Sequence, residues 1–241
     1  MSLVSAKTDA GQIKVLSTVG VQGLLEQLKP DFERRTGHRL AIAFNVATEL
    51  KQRIEAGEEF DLGIFTDFVI DDLIGSGRIL PSTRTDIARS GIGLAVRTGA
   101  PKPNISTVAN FKRVLLAARS IVYPKNGISG IYFAEIVKQL GIVEELEAAT
   151  ILDTSGGLVA ERVARGEAEY AVQLVSELLP VRGIDVVGPI PSELQRHVVL
   201  AAGLGTNTSS ASAAKLLLAF LSAPNALSIM KTKGLEPPRN H

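Results

Sequence analysis

Residues 13–45 read IKVLSTVGVQGLLEQLKPDFERRTGHRLAIAFN, and the alternation inside them sets the fold class. Ile13 to Leu16 is a short apolar run with the length of a strand. Gly23 to Arg35 then spaces Leu24, Leu25, Leu28 and Phe32 along one helical face despite Pro30, and Gly37 stops the helix. Leu40 to Phe44 is the next strand. Strand, helix and strand with short connections make a βα unit of a largely parallel sheet, so the predicted class is α/β.

The pattern continues outward. Glu49 to Glu55 is predicted as a helix ended by Gly57, and Leu62 to Phe65 as a third strand, with Asp67 expected to cap a helix beginning near Val69. Gly91 to Val96 is a strand at which the chain is expected to cross into a second lobe. Ile121–Tyr123, Thr150–Leu152 and Tyr170–Leu174 are further strands. The first two precede helices at Gly130–Leu140 and Gly157–Arg165, and the third a short turn after Ser176. Val198 to Ala202 reads as the returning strand and Ala211 to Leu221 as a final helix. The expected organisation is therefore one lobe of residues 1–90 with 203–241 and another of 91–202, with a cleft between them that hinge motion can open and close.

Composition removes whole classes of function. The 241 residues carry 26 Lys+Arg against 25 Asp+Glu, a net charge of +1, with 45% hydrophobic residues. That is a globular balance without a surface for nucleic acid. The chain has no cysteine, and its three histidines, His38, His197 and His241, are scattered. No thiol chemistry, metal site, cofactor or Ser-His-Asp relay is expected. No apolar run approaches the ~20 residues of a membrane span, so no membrane insertion is expected, and Met1-Ser2-Leu3 lacks the pattern of an export signal.

In an open α/β sheet, ligands lie beyond the carboxyl ends of the strands. The residues leaving the strands here are small or hydroxylated: Ser17, Thr18 and Gly20; Asn45 and Thr48; Ser129 and Gly130; Ser155 and Gly156. Each group enters a helix, whose first turn holds unpaired N–H groups and about half a positive charge. Several such turns facing one cleft would take a small anion. The same residues are also ordinary caps and turns, and both readings stand. Gln173 and Ser176 could add hydrogen bonds, and Arg89 and Lys125 are the cations nearest the crossing and the cleft. The acidic clusters Glu144, Glu145 and Glu147, and Glu55, Glu58 and Glu59, read as solvated faces. Phe60, Phe65, Phe68, Tyr132 and Phe133 read as core, and His38 as an exposed turn residue.

The order of Phe32-Glu33-Arg34-Arg35-Thr36-Gly37, Ile54-Glu55-Ala56-Gly57, Phe60-Asp61-Leu62, Ser129-Gly130-Ile131-Tyr132 and residues 163–168 (VARGEA) resembles the type II periplasmic solute-binding proteins of ABC transporters, and among them the molybdate-binding branch. The resemblance implies two lobes closing on an anion, a monomer in the periplasm, delivery to a membrane permease and no catalysis. It also implies that three side-chain donors of that branch are replaced here, by Gly20, by Val46 or Ala47, and by Leu174, while the backbone positions near Ser129 and Gly156 are kept. A different anion, such as a di- or tricarboxylate, is then expected in place of molybdate. Residues 87–93 (IARSGIG), 129–134 (SGIYFA) and 176–180 (SELLP) are similar to a sub-branch that includes aconitate isomerases. That likeness implies an alternative, proton transfer within a tricarboxylate, with Lys125 or Asp153 as base. The same fold also serves as the effector domain of DNA-binding regulators, but no helix-turn-helix pattern precedes Ile13.

Overall fold

The computed structural model describes residues 11–238. The readings made at Met1–Leu3 and at His241 lie outside the described residues. In chain order the elements are β1 (Gln12–Thr18), α1 (Gln22–Thr36), β2 (Arg39–Asn45), α2 (Ala47–Glu55), β3 (Leu62–Thr66), α3 (Asp67–Gly75) and β4 (Thr85–Arg97). There follow α4 (Val108–Leu116), β5 (Ile121–Pro124), α5 (Ile128–Gln139), α6 (Val143–Leu146), β6 (Thr150–Asp153), α7 (Ala160–Ala164), β7 (Tyr170–Leu174), α8 (Val175–Leu178) and β8 (Ile184–Pro189). The chain ends with β9 (His197–Leu204), α9 (Ala211–Leu221) and α10 (Pro224–Thr232).

The opening βα unit forms as its periodicity requires. β1 lies parallel to both β2 and β3, with Ile13 opposite Leu40 and Val15 opposite Leu62. On α1 the residues Leu24, Leu25, Leu28 and Phe32 are all buried, whereas Pro30 is exposed, so the missing N–H falls on the solvated side. Gly37 closes the helix in the left-handed conformation at φ 76°, which costs a glycine nothing. Phe32 meets the Phe220 ring edge-on at 5.5 Å, and this fastens α9 to α1.

The crossing differs from the expected short strand at Gly91–Val96. β4 is 13 residues long and serves two sets of partners. Thr85–Gly91 pairs antiparallel with β9, and Ile92–Arg97 pairs antiparallel with β7 and β8. β9 in turn pairs with β3, which places it beside the first set of strands. The full order is β2-β1-β3-β9-β4-β7-β5-β6, with β8 also on β4. One apolar cluster is continuous through the crossing, since Ile92, Leu94, Val172 and Leu174 join Ile13, Leu24 and Leu200.

Three local expectations are corrected. Asp67 is the first residue of α3 and its carboxylate accepts the Phe68 amide at 2.8 Å, so Thr66 holds the capping position without a side-chain bond. His38 is buried, and its Nδ1 has no hydrogen-bond partner. Phe68 is 41% exposed and lies outside the core, unlike Phe60, Phe65 and Phe133. Among the described residues no single helix is long and apolar enough to cross a membrane. α9 and α10 pass that test only as a pair bent by 60°, and they bury Ala214, Leu217, Leu221, Ala226 and Met230 in the core.

Candidate functional site

Strands β1, β2, β3, β5 and β7 deliver their carboxyl ends to one place. Thr18, Val46, Thr66, Gly127 and Leu174, the residues that precede the following helical turns, all line a single cavity of about 70 Å³. None of the five caps its turn with a side-chain oxygen. The first turns of α2, α3 and α5, which are 9, 9 and 12 residues long, therefore bring backbone N–H groups and the positive ends of their dipoles to the cavity wall. Thr66 Oγ1, on a residue 2% exposed, has no hydrogen-bond partner among the described residues. A buried hydroxyl left unpaired on a cavity wall is a donor held ready for a guest.

A second cavity of about 180 Å³ adjoins the first and shares Val46, Pro124, Asn126 and Gly127 with it. Its remaining wall is polar, including Asn45, Asp153, Ser155 and Gly156. Thr48 Oγ1 donates to the Asn126 carbonyl at 3.3 Å, joining the α2 side of the cleft to the α5 side. Among the described residues no lysine, arginine or histidine lines either cavity. Main-chain dipoles supply positive potential there, set against the carboxyl groups of Glu177 in the first cavity and of Glu49 and Asp153 in the second.

Of the residues singled out in the sequence, Thr18, Thr48, Ser129 and Gln173 line the first cavity, and Asn45, Ser155 and Gly156 the second. Gln173 is fully engaged: its carbonyl accepts the Val159 amide and its amide donates to Gly157 O, both at 3.1 Å. Ser17, Gly20, Gly130 and Arg89 line neither. Ser17 donates to Thr18 O at 3.0 Å, and Gly20 packs beneath Leu174 and Leu200. Arg89 is paired with Glu236 at 2.5 Å, so its charge is already answered. Gly130 is required by space, because a Cβ there would lie 1.7 Å from the Pro124 carbonyl oxygen. Ser176 also lines neither cavity, and its buried hydroxyl has no partner.

Of the two bases suggested for proton transfer, only Asp153 reaches a cavity, the second, and there it is paired with Arg162. Burial alone would raise the Asp153 carboxyl, but the hydroxyl and amide of Ser155 and the Arg162 guanidinium 2.7 Å away outweigh it and hold the group below the usual carboxylate range. Lys125 is exposed and lines neither cavity. The acid that does line the first cavity is Glu177, which the sequence marks only as part of 176–180 (SELLP) and not as a site residue. Burial pushes its carboxyl up to about 7, partly offset by hydrogen bonds from the Leu174 amide and the Gln173 side chain. The folded chain thus holds this proton more tightly than the unfolded one, and stability from this group falls as pH rises from 4.5 to about 7. Its sequence signal was the apolar run 174–179 (LVSELL), in which a lone glutamate has no solvated face to occupy. The cavity mouth carries Phe68 and Ile131, 41% and 42% exposed.

With this geometry in view, the comparisons are consistent. Over 230 residues the chain is 32% identical to an aconitate isomerase from Pseudomonas sp, covering 93% of this chain and 87% of the relative. It is 25% identical over 236 residues to a molybdate-binding protein of Escherichia coli (strain K12), covering 95% and 91%. The periplasmic molybdate-binding protein of Azotobacter vinelandii superposes with a TM-score of 0.80 at 21% identity, covering 94% of this chain and all of that one. It shares the fold. The profile of the bacterial extracellular solute-binding proteins matches residues 13–236, and the chain belongs to that family.

Proposed function

We propose that the chain is the solute-binding component of an ABC-type uptake system, a monomer in the periplasm that captures a small anion and hands it to a membrane permease. The anion is an oxyanion or a di- or tricarboxylate. The observation that carries this reading is the meeting, among the described residues, of three helix starts without side-chain caps and one unpartnered buried hydroxyl on a cavity with no cationic side chain. Main-chain amides can hold an anion there without a lysine or arginine. Thr18, Thr48, Thr66 and Ser129 supply the first cavity, and Asn45, Ser155 and Gly156 extend the site into the second. In this reading residues 1–90 with 203–241 form one lobe and 91–202 the other, and they hinge where β4 and β9 pass between them.

Thermal melts against a ligand panel test it. Molybdate, sulfate, succinate, citrate or trans-aconitate at a hundred times its dissociation constant adds about 2.7 kcal/mol. For a chain of this size that is a rise of roughly 5–10 °C. Neutral sugars should leave the melting temperature unchanged. A shift with sugars and none with any anion would overturn the reading.

A second reading has two observations in its favour. Glu177 places a carboxyl of raised pKa on the cavity wall, and a relative 32% identical is named an aconitate isomerase. In that case Glu177 would take a proton from the methylene beside the double bond and return one at the other end of the allylic system. Incubation with cis- or trans-aconitate separates the two readings, since interconversion supports the isomerase and retention without turnover supports the binding protein.

A further inference from the structure

We infer that Glu177 touches the captured anion directly, as a neutral acid donating a hydrogen bond to it, so that each anion enters the cavity with one proton. The inference rests on the anion-binding reading above. Glu177 is 6% exposed and stands at the third position of α8, with Oε2 accepting the Leu174 amide at 3.2 Å. It lines the same cavity of about 70 Å³ as the starts of α2, α3 and α5. A carboxylate and a second anion a few ångströms apart repel strongly inside a protein, where the effective dielectric constant is about 20. Two like charges in one site resolve this by one of them taking a proton.

Among the described residues no cationic side chain is paired with Glu177. α8 packs against β4, β7, β8, α1 and the turn at 19–21, and also against the segment after α10, where Gly234 lies on Val175 and Ser176 and the half-buried Lys233 extends over Gly23 of α1. On β4, Arg89 is held by Glu236, Asp86 by Arg84, and Arg97 is exposed. β7 presents Gln173, and its Tyr170 lies at the far end of the strand. On β8, Asp185 accepts the Gly99 amide. The charges of α1 are occupied on that helix, with Lys29 on Glu33, Arg34 and Arg35 on Asp31, and Glu26 accepting from Gln22. The turn Val19–Val21 has no charge. The carboxyl is left with the Leu174 amide and the Gln173 side chain, and burial already brings it to about 7 without a guest. As a neutral acid it offers a short, charge-assisted O–H···O⁻ bond to an anion.

The test is calorimetric titration of the whole chain with sodium molybdate and, separately, with trans-aconitate, at pH 6 and pH 8.5 in buffers of different ionisation heat. For the anion that binds, affinity should fall roughly 30-fold between the two pH values, with about one proton taken up per anion at pH 8.5. Glu177→Gln, whose amide also donates, should bind with nearly equal affinity at both pH values. Equal affinities for the parent, or a pH dependence kept by Glu177→Gln, overturn the inference and leave the anion reading standing. Failure of both anions to bind at either pH overturns the inference, while the anion reading stands or falls with the full panel of melts. Should the variant not fold, the ¹³C carboxyl resonance of Glu177 in the parent decides. Its midpoint should lie near 7 alone and above 8.5 with anion, and a midpoint unmoved by the anion contradicts the inference.

Discussion

Gly130→Ala should lower the melting temperature by roughly 6–12 °C, a loss of about 3 kcal/mol. The new methyl group would sit 1.7 Å from the Pro124 carbonyl oxygen. That oxygen is backbone at the end of β5, where Pro124 stands opposite Asp153 of β6, so it cannot turn aside as a side chain would. The helix has to move instead. α5 then withdraws from the wall that Gly127, Ile128 and Ser129 form, and anion affinity should fall with stability. Gly75→Ala is the matched control, because a Cβ there meets nothing within 4 Å and the residue ends α3 without a positive φ. It should leave the melting temperature within about 2 °C of the parent. A Gly130→Ala protein that melts with the parent would show that the close approach of α5 to β5 is not needed.

The second large effect is expected at Val46, and there stability and binding should separate. Val46 precedes α2 with φ −66° and ψ 145°, the conformation of a capping residue, yet it has no oxygen with which to cap. Aspartate at this position would bond the amides of Thr48 or Glu49 and stabilise the helix by about 1 kcal/mol, offset by a similar loss from the buried valine. Folding stability should hardly change. Binding should fall at least a hundredfold, because the carboxylate takes the amides meant for the guest and repels it by roughly 3 kcal/mol at about 5 Å. Val46→Asn caps without the charge and should fall between the two. Unchanged anion affinity in Val46→Asp would mean that the start of α2 does not contribute to the site.

The fold was legible wherever one surface of an element alternates cleanly. Residues 13–45 announce themselves because Leu24, Leu25, Leu28 and Phe32 fall on one face and two apolar strands flank them. β4 was read short because its first half, Thr85-Asp86-Ile87-Ala88-Arg89-Ser90, alternates charge with apolar residues, whereas Gly91–Val96 is apolar throughout. α4 carries a readable start at Thr107, which accepts the Asn110 amide, with Phe111 and Leu115 buried behind it. β8 gives little local signal, since most of its residues are only half-buried and its place is set by pairing with β4.

For the site, the rule that ligands lie past strand ends was enough to find Thr18, Thr48 and Ser129 on the cavity wall. It could not find Glu177, which looks like any helix glutamate until α8 is packed against β4 and β7. Thr66 was hidden behind Asp67, whose side chain seemed the natural cap. Arg89 was misjudged for the opposite reason, because its partner, Glu236, lies 147 residues away in the sequence and only the fold brings them together.

A titration of anion into ¹⁵N-labelled protein, followed by amide resonances, tests the central claim most directly. If helix starts hold the guest, the amides of Ala47, Thr48 and Glu49, of Asp67 and Val69, and of Ile128 and Ser129 should all move with one midpoint, while a neutral sugar moves none of them. Shifts confined to another surface, such as the groove around Lys231 and His197, would contradict it.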